Sequence, residues 1–424
     1  MGENSSGKST FLAGLRYILD FSAGRADPSF NKDPFFLGGY KNIAHFRGGK
    51  YGRATEFKIG LSEKIVRGQP RSQRELFTES DDKSGRIDIE ITFCDQEGDA
   101  KPHGFLIQKG NRTVNILINQ EQVTSTVKDV SNHFSHEIKS KQNPSFLRTH
   151  NDFLALEYFL REISIHSALE DSTISSEDKI ASSIVDDLWE SLYRFGPRRF
   201  GSAFALAPVR TRPLRNYDPT QLTESSEGDQ LISRLGRMAR LDTNQWGRVK
   251  EILEKYGRQT GLFETIKIQK LGRAESDPFQ IMIKTSGREA NIIDVGYGIS
   301  QVLPLFIRLA QQSRHDTLLI QQPEVHLHPR AQSAIGTVIS EAVARRTGRT
   351  FVIETHSDFI VDRIRMSVRD GVVKASDVNI LFFEKQGYNT VISSIRLDDR
   401  GEMVSIPSKY REFFLNESMT LAGF

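Results

Sequence analysis

The opening ten residues, "MGENSSGKST", constrain this chain more than any other stretch. Gly2, Gly7, Lys8 and Ser9 satisfy the spacing G-x-x-x-x-G-K-[ST], and each residue type in that spacing has a physical task. Glycines let the backbone turn so that successive N–H groups converge on phosphate oxygens. The lysine adds a cation at the β- and γ-phosphates, and the hydroxyl completes a Mg²⁺ shell. The run that follows, "TFLAGLRYILDF", has apolar side chains at Phe11, Leu12, Leu15, Ile18 and Leu19, which is helical spacing. A phosphate on the loop would sit at a helix N-terminus, where the dipole and unpaired N–H groups favour an anion. The plain alternative is a Gly/Ser turn ahead of a helix.

Composition bounds the rest. At 424 residues the chain has room for a large core, or for two or three lobes at roughly 100–200 residues each. With 57 basic and 54 acidic residues, it lacks an overwhelming electrostatic drive onto nucleic acid, though a local basic groove stays open. A single cysteine, Cys94, excludes an internal disulfide framework and a cysteine zinc site, and suits a reducing compartment. There is no run of about 18 consecutive apolar residues and no signal peptide, so a soluble, cytoplasmic protein without a membrane partner is expected.

Along the chain, "EFKIGLSE" and "RIDIEITF" place apolar residues at every second position, and "FLIQKGNRTVNILI" reads as two strands around a turn at Gly110–Asn111. From about Val127 to Phe195 the spacing changes to three and four in "DFLALEYFLREISIHSALE" and "IASSIVDDLWESLYRF", with the polar stretch "DSTISSED" between them. The expectation is an α/β chain: residues 1–126 hold the loop, its helix and an antiparallel β lobe, residues 127–230 a helical insertion and an Arg/Pro-rich connector, and residues 231–424 a returning β/α part. In the connector, "APVRTRPLRNYD" carries Arg210, Arg212 and Arg215. Guanidinium groups there either face phosphate or a partner's carboxylate or belong to a solvated loop; the solvated loop is expected.

The last part has strands in "GLFETIKIQKL" and "PFQIMIKT", a turn at Ser286–Gly287 and a third strand in "ANIID". "VGYGISQVLPLFIRLAQQ" then opens a helix on Gly296 and Gly298, with Ser300 and Gln301 near its N-terminus, a combination able to touch a second phosphate. "TLLIQQPEVHLHP" is a buried-type strand ending in Gln321, Gln322, Pro323 and Glu324, before His326 and His328. After a helix, "TFVIETHSDFI" ends a second strand in Glu354, Thr355 and His356. Two strands thus deliver carboxylates and histidines to one sheet edge, where open α/β sheets keep their ligands.

In this order, "GENSSGKST", "DVGYGISQVLPL", "QQPEVHLHP" and "IETHSDFI" resemble the ABC-class ATPases of the SMC-like and overcoming-lysogenization-defect-like branch, bacterial AAA-family ATPases, and "LFFEKQGYNTVISSIRLDDRGEM" resembles that branch's terminal hairpin. The resemblance implies a P-loop NTPase fold of ABC type in which two copies enclose ATP. Gly2, Asn4, Ser6, Gly7, Lys8, Ser9 and Thr10 would bind nucleotide, Ser9 also holding Mg²⁺. Gly296, Gly298 and Ser300 would be the signature that closes on the partner copy's γ-phosphate, and His356 the switch histidine. "HLHP" would lie at the dimer seam. "NIAHF", with His45, is the nearest candidate for the glutamine loop.

Two departures qualify the resemblance. The family's acidic pair before "Pro-Glu" is here Gln321 and Gln322, which hydrogen-bond but carry no charge and cannot act as a general base. Glu324 and Glu354 are the nearest carboxylates, and Glu324 is expected to polarise the attacking water. The loop also lacks the strand that ordinarily feeds it. Three explanations compete: an internal methionine of a longer gene taken as the start (the expected one), a shortened chain, or a strand supplied from elsewhere. A zinc-like site of His326, His328, Glu324 and His356 matches no fixed ligand spacing. Neither a Toprim nuclease domain nor a long coiled coil is evident. The implied partners are therefore a second copy and an effector such as a nuclease or toxin, with nucleic acid open and an antiphage role implied. A nucleotide-gated scaffold with little turnover is the rival, and a transporter subunit ranks below both.

Overall fold

Ile87, Ile89, Ile91 and Phe93 alternate with polar residues, so an extended chain here presents one apolar face. In the computed structural model this run lies in a six-stranded antiparallel sheet. The structure describes residues 1–2, 6–24, 28–49, 51–64, 86–119, 122–140, 156, 159–161, 175–195, 203–210, 212–220, 227–311, 317–345 and 348–410. They fall into two compact units, Ser9–Ala203 and Met1–Lys8 together with Phe204–Phe424.

The Ser9–Ala203 unit takes all of α1 (Lys8–Ser22) but its first residue. Its sheet runs in chain order through β1 (Glu56–Lys64), β2 (Arg86–Gln96), β3 (Asp99–Lys109), β4 (Arg112–Ile118), β5 (Val123–Asp129) and β6 (Phe134–Ser140). Glu97 and Gly98, at φ 55° and 90°, make the two-residue link between β2 and β3, since positive φ at both positions matches the twist of the flanking strands. Gly110 and Asn111 turn the chain between β3 and β4, where the sequence placed a turn. Ile107 lies opposite Ile89 on one side and Val114 on the other. Tyr17 and Phe21 of α1 and Leu188 and Leu192 of α2 (Ser176–Phe195) join the same core. Asp187 of α2 pairs with Lys109 at 2.7 Å and Arg112 at 2.8 Å.

The helical spacing expected from about Val127 starts later than the sequence suggested. Val123–Asp129 and Phe134–Ser140 are two more strands of the sheet, joined by a 3-10 turn at Val130–Asn132. The reason is local: "VTSTVKD" is rich in β-branched residues and buries alternate positions. Helical turns hold Leu156, Phe159 and Leu160, all buried, and most of "DFLALEYFLREISIHSALE" lies outside the described residues.

In the other unit, β7 (Ala203–Leu206), whose first residue belongs to the Ser9–Ala203 unit, leads to α3 (Asp229–Leu241) and α4 (Thr243–Thr260). The sequence reading did not resolve this helix pair. Asp242 caps α4 by accepting the Gln245 N–H at 2.8 Å. Next come β8 (Thr265–Lys270), β9 (Phe279–Lys284) and β10 (Glu289–Asn291), an antiparallel meander, then α5 (Tyr297–Ala310).

The central sheet has the order β12–β11–β7, with β11 (Thr317–Gln321) and β12 (Thr350–Glu354) parallel. Every residue of β11 is buried, as a strand covered on both faces requires. α6 (Pro329–Ala344) is the crossover between them, and α7 (Asp358–Arg369) follows β12. Leu303 and Phe306 of α5, Ile320 of β11 and Ile335 and Val338 of α6 share one core. The chain then forms β13 (Asn379–Gln386), β14 (Asn389–Leu397) and β15 (Met403–Val404), an antiparallel set. Among the described residues no helix is long and apolar enough to cross a membrane. Truncating Ile107, which is fully buried, is expected to lower unfolding free energy by about 2–5 kcal/mol in Ile107→Ala, read by urea denaturation.

Candidate functional site

The site is assembled within one unit from the ends of β11 and β12 and from the chain's first residues, which meet β13 and β14. The Phe383 N–H of β13 donates to Met1 O at 2.9 Å, and Gly2 makes a parallel bridge to Phe383. Gly2 has φ 134°, and a Cβ built on it would lie 2.0 Å from Phe383 O. Only glycine fits, because both the backbone conformation and the close approach exclude a side chain. Gly7 is also at positive φ, 88°. Thr390 Oγ1 on β14 donates to Ser6 O at 3.0 Å and fixes the far arm of the loop.

Lys8 points back into this loop. Its Nζ donates to Gly2 O at 3.0 Å and lies 3.5 Å from Ser6 Oγ, and the side chain is buried. A buried ammonium is costly unless hydrogen-bonded or paired; here loop oxygens solvate it. Asn4 lies outside the described residues. Ser9 and Thr10, the next two residues of α1, are exposed.

The parallel pair places Gln321 directly beside Glu354, and Gln321 Nε2 donates to Glu354 Oε2 at 3.1 Å, both side chains buried. After β11 the backbone turns sharply. Gln322 sits at φ 41° and His326 at φ 65°, a region uncommon for side-chain-bearing residues. Glu324 closes this turn onto the next strand: Oε1 accepts the His356 N–H at 2.7 Å and Oε2 accepts from Thr355 Oγ1 at 2.9 Å. Glu324, Thr355 and His356 thus form one connected edge, as the two strand ends in the sequence suggested.

Gly296 caps α5, and Ser300 turns its hydroxyl onto Tyr297 O at 2.7 Å. Gly298 is pressed against the segment after β11: an added Cβ would lie 3.0 Å from Leu327 Cδ2 and 3.1 Å from His326 O. His326 meets the Tyr297 ring edge-to-face at 5.1 Å. His328 instead accepts the Arg330 N–H and caps α6. The two histidines therefore serve different elements, and among the described residues no three His, Cys, Asp or Glu side chains gather for a metal ion.

The solvated-loop expectation fails at Arg210, which is 1% exposed. Its backbone is clamped by Gln301, which accepts the Arg210 N–H at 3.1 Å and donates to Arg210 O at 3.3 Å. Nη2 lies 3.5 Å from Gln321 O, while Nε and Nη1 have no hydrogen-bond partner among the described residues. Burial pushes its pKa down to about 10, Glu324 acting in the opposite sense, so it stays cationic at neutral pH. Arg215 does meet solvent, in a two-pronged pair with Asp294. Sequence reasoning placed Thr355 at the strand end without giving it a role, and it missed Thr390, which nothing local marked. His45 belongs to the other unit, where its carbonyl accepts the Ala54 N–H at 2.8 Å.

Residues 1–362 match the family described as "AAA domain, putative AbiEii toxin, Type IV TA system". No curated protein sequence matches the chain. Among solved structures it is similar to the Smc head domain of Pyrococcus furiosus, with an extended coiled coil and bound to the C-terminal domain of ScpA, at 10% identity and TM-score 0.40, over 100% of this chain and 91% of that one. It is also similar to the SMC head domain of Thermotoga maritima, at 10% identity and TM-score 0.26, over 68% and 75% of the respective chains.

His356 gives a direct readout of this geometry. Partial burial and the Lys8 charge lower its pKa from 6.5, against the pull of Glu324 and Glu354. The stability linked to its neutral form is present above pH 6.5 and is lost as pH falls through the lowered midpoint. NMR titration of the imidazole is expected to give a midpoint below 6.5, and Lys8→Met is expected to move it upward; an unchanged midpoint would place Lys8 away from His356.

Proposed function

This chain belongs to that AAA-domain family, and we propose that it binds ATP with Mg²⁺ on the Gly2–Lys8 loop and hydrolyses it as an ABC-type ATPase. The observation that carries the reading is the buried Lys8 ammonium, held by Gly2 O and Ser6 Oγ at the start of α1. A phosphate oxygen is a stronger partner for an ammonium than a carbonyl, and the helix N-terminus supplies further N–H donors.

Mg²⁺ fits the donors at the strand ends: Glu324 and Glu354 would offer oxygen ligands or hold Mg²⁺-bound water, and Ser9 is assigned to the ion by the family resemblance. When bound, the ion neutralises charge on the transferred phosphoryl group. The protein's own contribution is positioning. Gly2, Ser6, Gly7 and Lys8 hold the phosphates, with Asn4 and Thr10 assigned to the same loop by the family resemblance. Gln321 and Gln322 contribute amides at the strand end, and Glu324 orients the turn carrying His356. Hydrolysis requires one of these groups to polarise water, and Glu324 is the assigned one.

Gly296 and Gly298 would form the face that closes on the nucleotide of a second copy, with Ser300 buried behind them and assigned to that face by the family resemblance, so turnover is expected to depend on dimerisation. The ATP-linked closure is then read by an effector protein; the toxin named in the family's description favours a toxin-type partner in a defence setting. A scaffold with little turnover is the second reading. It is favoured by Gln321 and Gln322 and by the engagement of both Glu324 oxygens with Thr355 and His356.

Phosphate release measured over a range of protein concentrations separates the two. Turnover per chain is expected to rise with concentration and to fall to background in Lys8→Ala and at least tenfold in Glu324→Gln. Retained ATP binding without turnover, lost only in Lys8→Ala, would select the scaffold. No ATP binding at all would reject both.

A further inference from the structure

Gln321 and Glu354 occupy matched positions at the carboxyl ends of two adjacent parallel strands. Neighbouring strands lie about 4.8 Å apart and matched side chains share a face, so what stands at one position decides what the other tolerates. Two carboxylates there would repel and share a proton. An amide instead donates, and Gln321 does so into Glu354 Oε2 at 3.1 Å. The glutamine is therefore the group that lets a buried carboxylate stand on the neighbouring strand.

That carboxylate is on the nucleotide side of the edge. It ends β12 immediately before Thr355 and His356, the two residues that Glu324 holds, and its charge reaches Met1, next to Gly2. Glu324 is engaged differently: its two oxygens accept from His356 N–H and Thr355 Oγ1 and hold a turn. Building on the nucleotide site proposed above, we propose that Glu354, oriented by Gln321, is the carboxylate that orders the divalent cation accompanying the nucleotide. Gln321 is then a positioning residue, and of the 321/354 pair the carboxylate stands on β12 and not on β11.

Charge at positions 321 and 354 is reciprocal. Glu354→Gln removes the charge; Gln321→Glu adds a second carboxylate beside it; Gln321→Glu with Glu354→Gln moves the charge across one strand while keeping one acid and one amide. The readout is the affinity for a fluorescent ATP analogue in EDTA and over a Mg²⁺ series, together with Mn²⁺ affinity by electron paramagnetic resonance with a non-hydrolysable ATP analogue. Circular dichroism establishes that each variant is folded, and Glu354→Asp serves as a second, milder variant.

Wild type is expected to bind the analogue more tightly with Mg²⁺. In Glu354→Gln the EDTA affinity should stay within about twofold while the Mn²⁺ affinity falls about 10–100-fold, the range lost when groups supporting a metal are removed. Gln321→Glu should also weaken Mn²⁺ binding, Glu354→Asp should fall between, and the double variant should recover most of the loss. A folded Glu354→Gln or Glu354→Asp with wild-type Mg²⁺ and Mn²⁺ dependence overturns the proposal while leaving the nucleotide site intact. Failure of the wild type to bind the analogue overturns both.

Discussion

Glu324 accepts the His356 N–H at 2.7 Å and the Thr355 hydroxyl at 2.9 Å, and so joins the loops that follow two adjacent parallel strands. Hydrogen bonds to a charged group contribute about 1.5–3 kcal/mol each, which is enough to hold a turn containing two residues at positive φ, Gln322 and His326. The rest of the edge follows. With that turn fixed, Leu327 and His326 form the surface against which Gly298 packs, and His328 is placed to cap α6. With Thr355 fixed, its hydroxyl accepts the Ser357 N–H at 3.0 Å, and Ser357 caps α7 while donating to Gln332 at 2.6 Å. Gln332 in turn donates to Leu327 O at 2.9 Å, which closes the circuit.

Charge at this edge is arranged with the same economy of partners. Lys8 is solvated by its own loop, and Glu354 is held by Gln321. Arg210 stands between Gln301 of α5 and the end of β11 with two nitrogens unsatisfied among the described residues. An unpaired buried cation is destabilising, and such strain in a fold collects at functional positions. Its location ties the helix bearing Gly298 and Ser300 to the strand bearing Gln321.

Much of this was legible in the sequence because phosphate loops, strand ends and helix caps are local. The loop and α1, the β2–β4 alternation, the helix after Gly296 and the strands ending at Gln321 and Glu354 all follow from spacing within a few residues. What sequence could not supply was long-range. The Thr390 contact with Ser6 spans 384 positions, and the burial of Arg210 depends on Gln301, 91 positions away. Residues 127–140 were misjudged because helical spacing further along was extended backward across the end of a run whose β-branched residues favour strand. The paired substitutions at 321 and 322 looked like the loss of a carboxylate; only the register with Glu354 shows an acid and an amide side by side.

The central claim is that Lys8 and its loop hold the nucleotide phosphates. Its most direct test is the crystal structure of the chain soaked with Mg²⁺ and a non-hydrolysable ATP analogue. The phosphates are expected on the Gly2–Lys8 loop, with the Lys8 ammonium released from Gly2 O to a phosphate oxygen. Phosphates bound elsewhere, with Lys8 still on Gly2 O at 3.0 Å, would contradict it.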